Sequence, residues 1–290
     1  MEKLTACPAC KSTSIEFYGQ AEDWLVSKES FEIHECKDCE LKFTNPRPQE
    51  SDLGKYYESE DYISHSDTKK GLTPLLYQKA RQIMLNKKYR LVRKHIQPKT
   101  ALDIGCGTGY FLSLLQEKGI QTSGVEPSPI AKEIAEAKLG HTLSSQVSEI
   151  TGTYDLITLW HVLEHLPNLR ADLEKISQHL NPNGVLMIAV PNPDSKDAKI
   201  YGFDWAAWDL PRHLYHFTKK SLNLLLKSVG FQRVGTYNMP LDSFYVSLLS
   251  EKNIGNKVPF PKAIQSGILS NIKGKSSKNQ SSLIHVFKKA

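Results

Sequence analysis

The sequence predicts an α/β fold in which helices cover both faces of a mostly parallel, doubly wound sheet. From Thr100 onwards, short apolar strand patterns alternate with helical patterns, as expected when parallel strands are joined by crossover helices. A glycine-rich turn at 105–109 joins the first of these strands to the first helix. The run 184–190 (GVLMIAV) is apolar on both faces, as a buried parallel strand should be.

The elements follow one another in a regular order. Strands are predicted at 101–104, 121–125, 154–159, 184–190, 231–237 and 283–287. Helices are predicted at 110–118, 128–139, 169–180 and 221–229. About forty residues separate the last two strands, which indicates a long insertion rather than a tight hairpin.

Length and composition predict one full domain preceded by a small module. The chain has 290 residues, of which 40% are hydrophobic, enough for an α/β domain with its own core. Residues 1–48 are rich in cysteine and end in Asn45-Pro46-Arg47-Pro48, which is typical of a boundary. We predict a cysteine module at 1–48, a helical linker or lid at 49–96 and the main domain at 97–290, with the insertion at about 241–282.

Two cysteine pairs predict a bound zinc ion. Cys7 and Cys10 form one CxxC pair, and Cys36 and Cys39 form a second. Four thiolates fill a tetrahedral zinc site, so the ion should be structural rather than catalytic. The module resembles a zinc ribbon, with Lys11 and Glu40 standing where such knuckles usually have glycine.

Positive charge is concentrated at the C-terminal end. The chain carries +6 in total, and residues 251–290 contribute +7 from eight lysines and Glu251, so the first 250 residues carry −1. The lysines could form a solvated surface, or they could contact an anionic partner, which could be lipid headgroups, a phosphorylated carrier or nucleic acid. The near-neutral body argues against nucleic acid as a partner, because phosphate binding requires distributed lysine and arginine.

The hydropathy pattern gives no sign of membrane spans or export. No stretch of about 18 apolar residues is present, and the sequence MEKLTACPAC lacks the apolar core of a signal peptide. We therefore expect a cytoplasmic protein.

The turn Gly105-Cys106-Gly107-Thr108-Gly109 predicts a nucleoside site. Glycines allow a sharp bend and close approach of a ligand, and Glu126, at the end of the second strand, can accept hydrogen bonds from both hydroxyls of a ribose. The spacing is not the GxGxxG of a typical dinucleotide site, and the Gly-Lys-Ser/Thr of a phosphate loop is absent. S-adenosylmethionine (SAM) has no phosphate and fits these features.

Four motifs carry a family resemblance over roughly residues 75–240. DIGCGTG, GVEPS, YDLITLWHVLEHL and GVLMIAVPN resemble the motif series of class I SAM-dependent methyltransferases, and match best the broad family that includes ubiquinone-pathway O-methyltransferases. The resemblance implies a Rossmann-like sheet of seven strands.

It also implies roles for particular residues. Asp103 should lie near the methionine moiety of SAM, Gly105, Gly107 and Gly109 should pack on the cofactor, and Glu126 should hold the ribose. Cys106 and Pro127 fall within the same two motifs and are assigned to the cofactor site with them. The region after the third family strand reads Ser144-Ser145-Gln146, which departs from the acidic or amide residue usual there, so no adenine contact is assigned.

A first histidine cluster follows the strand at 154–159. Trp160 and His161 should border the cofactor, because ligands bind beyond the C-terminal ends of parallel strands. His165, four residues further, would share a face with His161 if this turn is helical, and we include it among the candidate bases. The HxxxH spacing could also bind a metal, but no third ligand is evident from the sequence.

A second cluster lies at 205–217 (WAAWDLPRHLYHF). Its aromatic, arginine and histidine residues suggest a substrate lid, with Trp208, Arg212 and Tyr215 contacting substrate and His213 or His216 taking a proton from it. His213 is the first choice for the base. The alternative is that the loop packs on itself, with its histidines hydrogen-bonded inside.

We therefore predict methyl transfer from SAM to a small-molecule acceptor, such as a hydroxyl of a sugar, a glycan precursor, a quinone or a phenol. One alternative is a ribosomal-RNA methyltransferase whose zinc ribbon grips RNA. The other is a non-catalytic SAM-binding protein, against which the intact glycine loop and Glu126 argue.

Overall fold

The N-terminal segment forms an antiparallel sheet. A computed structural model of the protein describes residues 1–57 and 72–290. The first three strands are β1 (Ile15–Glu22), β2 (Ser30–Cys36) and β3 (Lys42–Thr44), each antiparallel to the next. The first CxxC pair precedes β1, and the second begins at Cys36, the last residue of β2, and ends at Cys39 in the turn before β3.

Helical structure occupies both described parts of the linker. A 3-10 helix covers Glu50–Tyr57, and helix α1 covers Leu72–His95. The remainder of the segment predicted to be helical, 58–71, lies outside the described residues.

The main sheet contains all six strands that the sequence pattern predicts at defined positions. Its strands are β4 (Thr100–Ile104), β5 (Gln121–Val125), β6 (Tyr154–Trp160), β7 (Leu180–Pro191), β9 (Phe231–Asn238) and β10 (Ser282–Lys289). They lie side by side in the order β5-β4-β6-β7-β10-β9. The first four are parallel to one another, and β10 is antiparallel to both of its neighbours. All six predicted strands are thereby confirmed.

The predicted seventh strand does not form within the described residues. Ser144 makes only an isolated parallel bridge with Val125 at the outer edge of β5. The next two backbone N–H groups, of Ser145 and Gln146, donate to the carboxylate of Glu149 and so turn the chain into a short 3-10 helix. The prediction of seven strands is wrong by one, because this local side-chain bonding replaces sheet pairing.

Helices cover both faces of the sheet, which confirms the α/β prediction. They are α2 (Tyr110–Glu117), α3 (Pro129–Leu139), α4 (Leu169–His179), α5 (Lys196–Tyr201), α6 (Lys219–Ser228), α7 (Asp242–Asn253) and α8 (Pro259–Ser277). Successive strand residues point into separate cores. Leu156 packs with residues of α1 and α2, whereas Ile157 packs with residues of α4 and α6.

The two sheets meet through a short strand of the main domain. Strand β8 (Tyr215–His216) pairs antiparallel with β3, so that Phe43 lies opposite Tyr215 and Lys42 opposite His216. Cys36, Cys39 and Phe43 belong to the same buried cluster as Leu214 and Tyr215. The cysteine module and the main domain therefore share one sheet and one core.

The insertion between β9 and β10 contains α7 and α8. Within the described ranges, none of the helices combines the length and the apolarity that crossing a bilayer requires. The cytoplasmic location stays a prediction.

Candidate functional site

The glycine turn between β4 and α2 has the backbone geometry expected of a ligand-binding loop. Gly105, Gly107 and Gly109 have φ values of 68°, 54° and 76°, a region that side chains disfavour. A Cβ at Gly105 would lie 2.4 Å from Val162, and one at Gly109 would lie 3.1 Å from Ala135. A Cβ at Gly107 would meet nothing within 4 Å, so this glycine faces open space.

Glu126 connects this turn to the end of β5. Its Oε2 accepts from the N–H of Gly107 at 2.8 Å, and its Oε1 accepts from the N–H of Ser128 at 2.9 Å. Burial raises the pKa of Glu126, against the opposing effect of these two N–H groups. Both oxygens retain a second lone pair for a hydroxyl donor. Pro127, the next residue, is exposed.

Asp103 is buried at the end of β4, where it is bonded to a threonine of the neighbouring strand. Its Oδ1 accepts from Oγ1 of Thr158 at 2.6 Å. Burial raises the pKa of Asp103 to about 7, although Thr158 and Lys88 act to lower it. Cys106, by contrast, packs into a cluster with Leu112 of α2, so these contacts give it a packing role.

Trp160 is the last residue of β6, and His161 follows it. The indole of Trp160 packs edge-on against Phe111, with Nζ of Lys88 4.2 Å from its ring centroid. Its Nε1 is buried and has no hydrogen-bond partner among the described residues. The ring face thus already accommodates a cation, which is what a sulfonium group also requires.

His161 is held by two carboxylates. Its Nε2 lies 3.0 Å from Oδ2 of Asp242, and its Nδ1 lies 3.5 Å from Oε1 of Glu164. Burial opposes protonation, but the two carboxylates outweigh it and raise the pKa of His161 to about 9. The backbone at His161 has a φ of 58°, so the chain leaves the strand through a left-handed residue rather than through a helix. His161 is thus not part of a helix, so the condition for a common helical face of His161 and His165 is not met.

His165 and His213 lie side by side instead. Their ring centroids are 4.6 Å apart in an edge-to-face arrangement. Nδ1 of His165 lies 3.0 Å from the carbonyl oxygen of Arg212, and Nδ1 of His213 lies 2.9 Å from that of Ala207. Because a carbonyl oxygen can only accept, Nδ1 is the nitrogen that donates to it in each ring.

Other charges distinguish these two histidines. Nε2 of His213 lies 3.8 Å from Oδ2 of Asp209. Burial lowers the pKa of His165 to about 4, with a further contribution from His213, so His165 is neutral at physiological pH. His216 is also buried, with its Nε2 unpartnered within the described part of the chain, and burial holds its pKa well below the usual value.

Glu164 completes this cluster, and sequence reasoning missed it. Its side chain is fully buried, and within residues 1–57 and 72–290 its carboxylate has the 3.5 Å contact of Oε1 with Nδ1 of His161 but no hydrogen bond that meets the usual geometry. Ligand atoms of Glu164, His165 and His213 lie within 4.8 Å of one another. The cluster therefore joins Glu164 to His165 and His213, and it is not built on the His161–His165 pair of the HxxxH pattern.

The predicted substrate contacts are mostly committed within the protein. Arg212 donates to Asp23, to Asp209 and to the carbonyl oxygen of Tyr56. Nε1 of Trp208 donates to the carbonyl oxygen of Gly202 at 2.8 Å. The hydroxyl of Tyr215 accepts from Nη1 of Arg47 and donates to the carbonyl oxygen of Pro167. All three side chains are buried, so these contacts fit the alternative of a self-packed loop, and direct contact with substrate stays a prediction.

The four cysteines converge as a metal site requires. Sγ of Cys7 lies 3.5 Å from Sγ of Cys39, Sγ of Cys10 lies 3.5 Å from Sγ of Cys36, and all four lie within 4.8 Å of one another. Tetrahedral zinc–thiolate bonds place sulfurs about 3.8 Å apart. The donor set and its size therefore fit a structural zinc ion.

The knuckles that carry the cysteines have left-handed backbone at the two non-glycine positions. Lys11 has a φ of 63° and Glu40 a φ of 65°. Their N–H groups donate to the carbonyl oxygens of Cys7 and Cys36 at 2.9 Å and 2.8 Å. The knuckle turn is thus retained without glycine, at a backbone cost of about 1 kcal/mol per residue.

The residues at the ends of β4, β5 and β6 also fit SAM. Gly107 leaves open space for a ligand, Asp103 is a buried carboxylate, and Glu126 has lone pairs to spare. An ammonium group could pair with Asp103, and ribose hydroxyls could donate to Glu126.

No pattern in the sequence pointed to Asp242. This residue lies in the insertion, far along the chain from His161, whose ring it orients.

Comparison with known proteins places the chain in a family. Residues 77–235, more than half of the chain, match the family model described as a methyltransferase domain. The ubiquinone biosynthesis O-methyltransferase of Paraburkholderia xenovorans (strain LB400) is 29% identical over 140 residues, covering 43% of this chain and 59% of that protein. The mitochondrial ubiquinone biosynthesis O-methyltransferase of Schizosaccharomyces pombe is 32% identical over 102 residues, covering 31% and 37%. The chain spans less than two thirds of the length of these curated relatives.

Solved structures share the fold at low sequence identity. Magnesium protoporphyrin IX methyltransferase from Synechocystis PCC 6803, with bound S-adenosylhomocysteine (SAH), superimposes with a TM-score of 0.55 at 13% identity. The match covers 83% of this chain and 100% of that one. The O-methyltransferase from a trans-AT PKS multienzyme of Brevibacillus brevis gives a TM-score of 0.51 at 18% identity, covering 75% and 76%. Together with the matched residues, the glycine turn and the order of the strands, this identifies the chain as a member of the methyltransferase domain family.

Proposed function

We propose that this protein transfers a methyl group from SAM to a hydroxyl of a small-molecule acceptor, such as a quinone, a phenol, a sugar or a glycan precursor. The observation that carries the proposal is the position of Glu126. One of its oxygens accepts from the N–H of Gly107 in the glycine turn, and the other accepts from the N–H of Ser128 after β5. A carboxylate fixed in this way is suited to the two hydroxyls of a ribose.

The cofactor site follows from this anchor. Bound SAM supplies a methyl group attached to a sulfonium sulfur. When the methyl group is transferred, that sulfur is the leaving group and becomes the neutral thioether of SAH. Asp103 would pair with the ammonium group of the methionine moiety, and the face of Trp160 would line the sulfonium side. His161, kept protonated by Asp242 and Glu164, would be a fixed structural charge between β6 and α7 rather than a base.

The acceptor side would use the paired histidines. In its neutral form His213 would offer the lone pair of Nε2 to the acceptor, because its Nδ1–H donates to the carbonyl oxygen of Ala207 at 2.9 Å. The acceptor oxygen would bond to the methyl carbon as the carbon–sulfur bond breaks, and its proton would pass to Nε2 of His213. Asp209, at 3.8 Å, and buried Glu164 would stabilise the imidazolium that forms. His165 would orient the ring of His213, and His216 would serve only if a bound acceptor reached its unpartnered Nε2.

The ubiquinone biosynthesis O-methyltransferases among the relatives support an oxygen acceptor on an aromatic ring. The cysteine module would act on the reaction from outside the site. It holds the histidine loop through β3 and β8 and through the pairing of Arg212 with Asp23.

The test is a binding and turnover experiment on zinc-loaded protein. Calorimetry with SAH should show binding, and replacing Glu126 with Gln should weaken it about 10–100-fold, as the loss of charged hydrogen bonds predicts. Glu117→Gln, on the exposed face of α2, is the matched control and should leave the affinity unchanged.

Turnover should then be measured with hydroxyquinones, catechols, nucleotide sugars and ribosomal RNA as acceptors. Formation of SAH with any of the small molecules supports the proposal. SAH binding without turnover on any of them, together with methylation of the RNA, would replace the small-molecule assignment with the RNA one. No heat of binding for SAH would remove the activity altogether.

A further inference from the structure

Helix α8 exposes its large apolar side chains and buries its small ones. Phe260 is 63% exposed and Ile272 is 66% exposed, and Ile264 and Ile268 between them are also exposed. The buried face consists of Ala263, Ser266, Gly267, Ser270 and Gly274. A helix that packs on the core of a water-soluble protein normally shows the opposite arrangement.

The neighbouring helix α7 has a similar distribution. It buries Ser243, Ser247 and Ser250, spaced three and four residues apart, while Tyr245 is 51% exposed. The two helices approach closely, since a Cβ at Gly267 would lie 2.5 Å from the ring of Phe244. Small residues between helices and large apolar residues outside are typical of helices whose surroundings are lipid, because close packing rather than burial of apolar area then joins them.

The same segment of chain carries exposed positive charge. Residues 252–278 contain six lysines and no acidic residue, and all six lysines are exposed: Lys252, Lys257, Lys262, Lys273, Lys275 and Lys278. Glu251, just before them, is buried and bonded to Tyr201 and Asn256, so its carboxylate faces inward. A hairpin that exposes isoleucine, phenylalanine and several lysines is complementary to an anionic lipid headgroup layer above an apolar interior.

We propose that the hairpin formed by α7 and α8 docks on the surface of an anionic phospholipid bilayer. The apolar side chains of α8 would enter the boundary between headgroups and acyl chains, and the lysines would contact the headgroups. An apolar groove of about 200 Å³ between the helices, lined by side chains such as Tyr245, Phe260 and Ile264, would also open towards the lipid. A second copy of the chain fits this surface less well, because two lysine-rich faces would repel each other.

The docked hairpin would lie next to the candidate site. Asp242, the first residue of α7, contacts His161 at 3.0 Å, and its neighbours Leu241 and Tyr245 are exposed. Docking is nevertheless independent of methyl transfer, since it needs neither SAM nor an acceptor. Failure of one proposal therefore leaves the other intact.

The test is co-sedimentation of the full-length, zinc-loaded protein with vesicles. The protein should bind vesicles of phosphatidylcholine mixed with phosphatidylglycerol, and bind pure phosphatidylcholine at least about tenfold more weakly. Phe260→Ser/Ile272→Ser should weaken binding to the anionic vesicles about tenfold or more. Ile83→Ser/Val234→Ser, at exposed apolar positions of α1 and β9, is the matched control and should bind like the wild type.

A charge-reversal pair separates the role of lysine from that of apolar area. Lys257→Glu/Lys262→Glu should weaken binding to anionic vesicles by more than about tenfold, and Lys99→Glu/Lys227→Glu should have a much smaller effect. Absence of wild-type binding to anionic vesicles would overturn the proposal. So would a wild-type dimer in light scattering that Phe260→Ser/Ile272→Ser converts to a monomer without any vesicle binding, since a second copy would then cover the surface.

Discussion

Nη2 of Arg212 lies 2.9 Å from Oδ1 of Asp23, and both side chains are almost completely buried. Asp23 belongs to the cysteine module, and Arg212 immediately precedes His213 in the main domain. Asp23 also accepts from the backbone N–H groups of Leu25, Val26 and Ser27, so the carboxylate is fixed before it meets the guanidinium. This ion pair therefore positions the histidine loop relative to the module.

Asp23→Asn should destabilise the protein by about 3 kcal/mol or more, because it leaves part of a buried guanidinium charge uncompensated. Asp38→Asn, at an exposed position of the same module, should change the free energy of unfolding by less than about 0.5 kcal/mol. Urea denaturation followed by tryptophan fluorescence measures both. Equal midpoints for the two variants would show that Asp209 alone satisfies Arg212.

His213→Ala should reduce methyl-transfer turnover about 100-fold or more and leave SAH affinity near that of the wild type, because general-base catalysis contributes on this scale. The melting temperature should be recorded too, since the substitution also removes the bond to Ala207. His141→Ala, outside the cluster, is the control. An unchanged rate would exclude His213 as the base and leave His165 or His216 for the same test.

The pKa of His161, raised to about 9 by Asp242 and Glu164 against the effect of burial, predicts a pH dependence of stability. The folded protein holds this proton more tightly than the unfolded chain does. The contribution is therefore complete below the unfolded pKa of about 6.5, declines as pH rises above it, and is lost once pH passes about 9. Thermal melts from neutral pH upward should show a steeper decline for the wild type than for Asp242→Asn. Parallel declines would mean that this pair does not titrate with unfolding.

Removal of zinc should affect catalysis more than cofactor binding. A thiolate site that loses its metal should loosen β3, which holds β8 and hence His213 through the bond from Oγ1 of Thr44 to the carbonyl oxygen of His213. Cys39→Ser should lose bound zinc by elemental analysis and lose turnover, while the SAH site keeps most of its affinity. Cys106→Ser should retain the zinc, since it lies in another cluster. Full activity in a zinc-free variant would contradict this coupling.

The left-handed Lys11 and Glu40 predict a stabilising substitution. Glycine at both positions relieves the steric cost of a positive φ, and we expect a net gain of about 0.5–1 kcal/mol after the entropy of glycine in the unfolded chain is counted. The matched control is Lys37→Gly, which has no positive φ and should destabilise. Denaturation of the zinc-loaded variants measures the change in the free energy of unfolding. If the double glycine variant were less stable than the wild type, the side-chain contacts of Lys11 and Glu40 would outweigh the backbone strain.

Local patterns were sufficient for the sheet and for the cofactor turn. The strand ending at Ile104, the glycines after it and Glu126 all lie in one short stretch of chain, where hydrophobic period and turn chemistry determine the structure directly. The missing strand near Ser144 shows the limit, because a single carboxylate, that of Glu149, diverts the backbone from the sheet edge.

Long-range partners could not be predicted in the same way. Three strands and several helices separate Asp242 from His161 along the chain, and most of the chain separates Asp23 from Arg212, so no period or spacing in the sequence links these pairs. Glu164 was closer at hand, since it stands between two histidines that the sequence analysis had already singled out. Its complete burial was the missing fact, and burial depends on the folded loop above it.

The pairing of β3 with β8 also bears on how the protein is synthesised. The N-terminal sheet gains its fourth strand only when Lys42 pairs with His216. The ribosome adds His216 after it has made most of the strands of the main sheet. During that interval one edge of the N-terminal sheet is unpaired and can pair with other chains. Early zinc binding by the four cysteines would hold this partly folded sheet together. Limited zinc supply during expression should therefore lower the amount of folded protein more than removal of zinc from the already folded protein does.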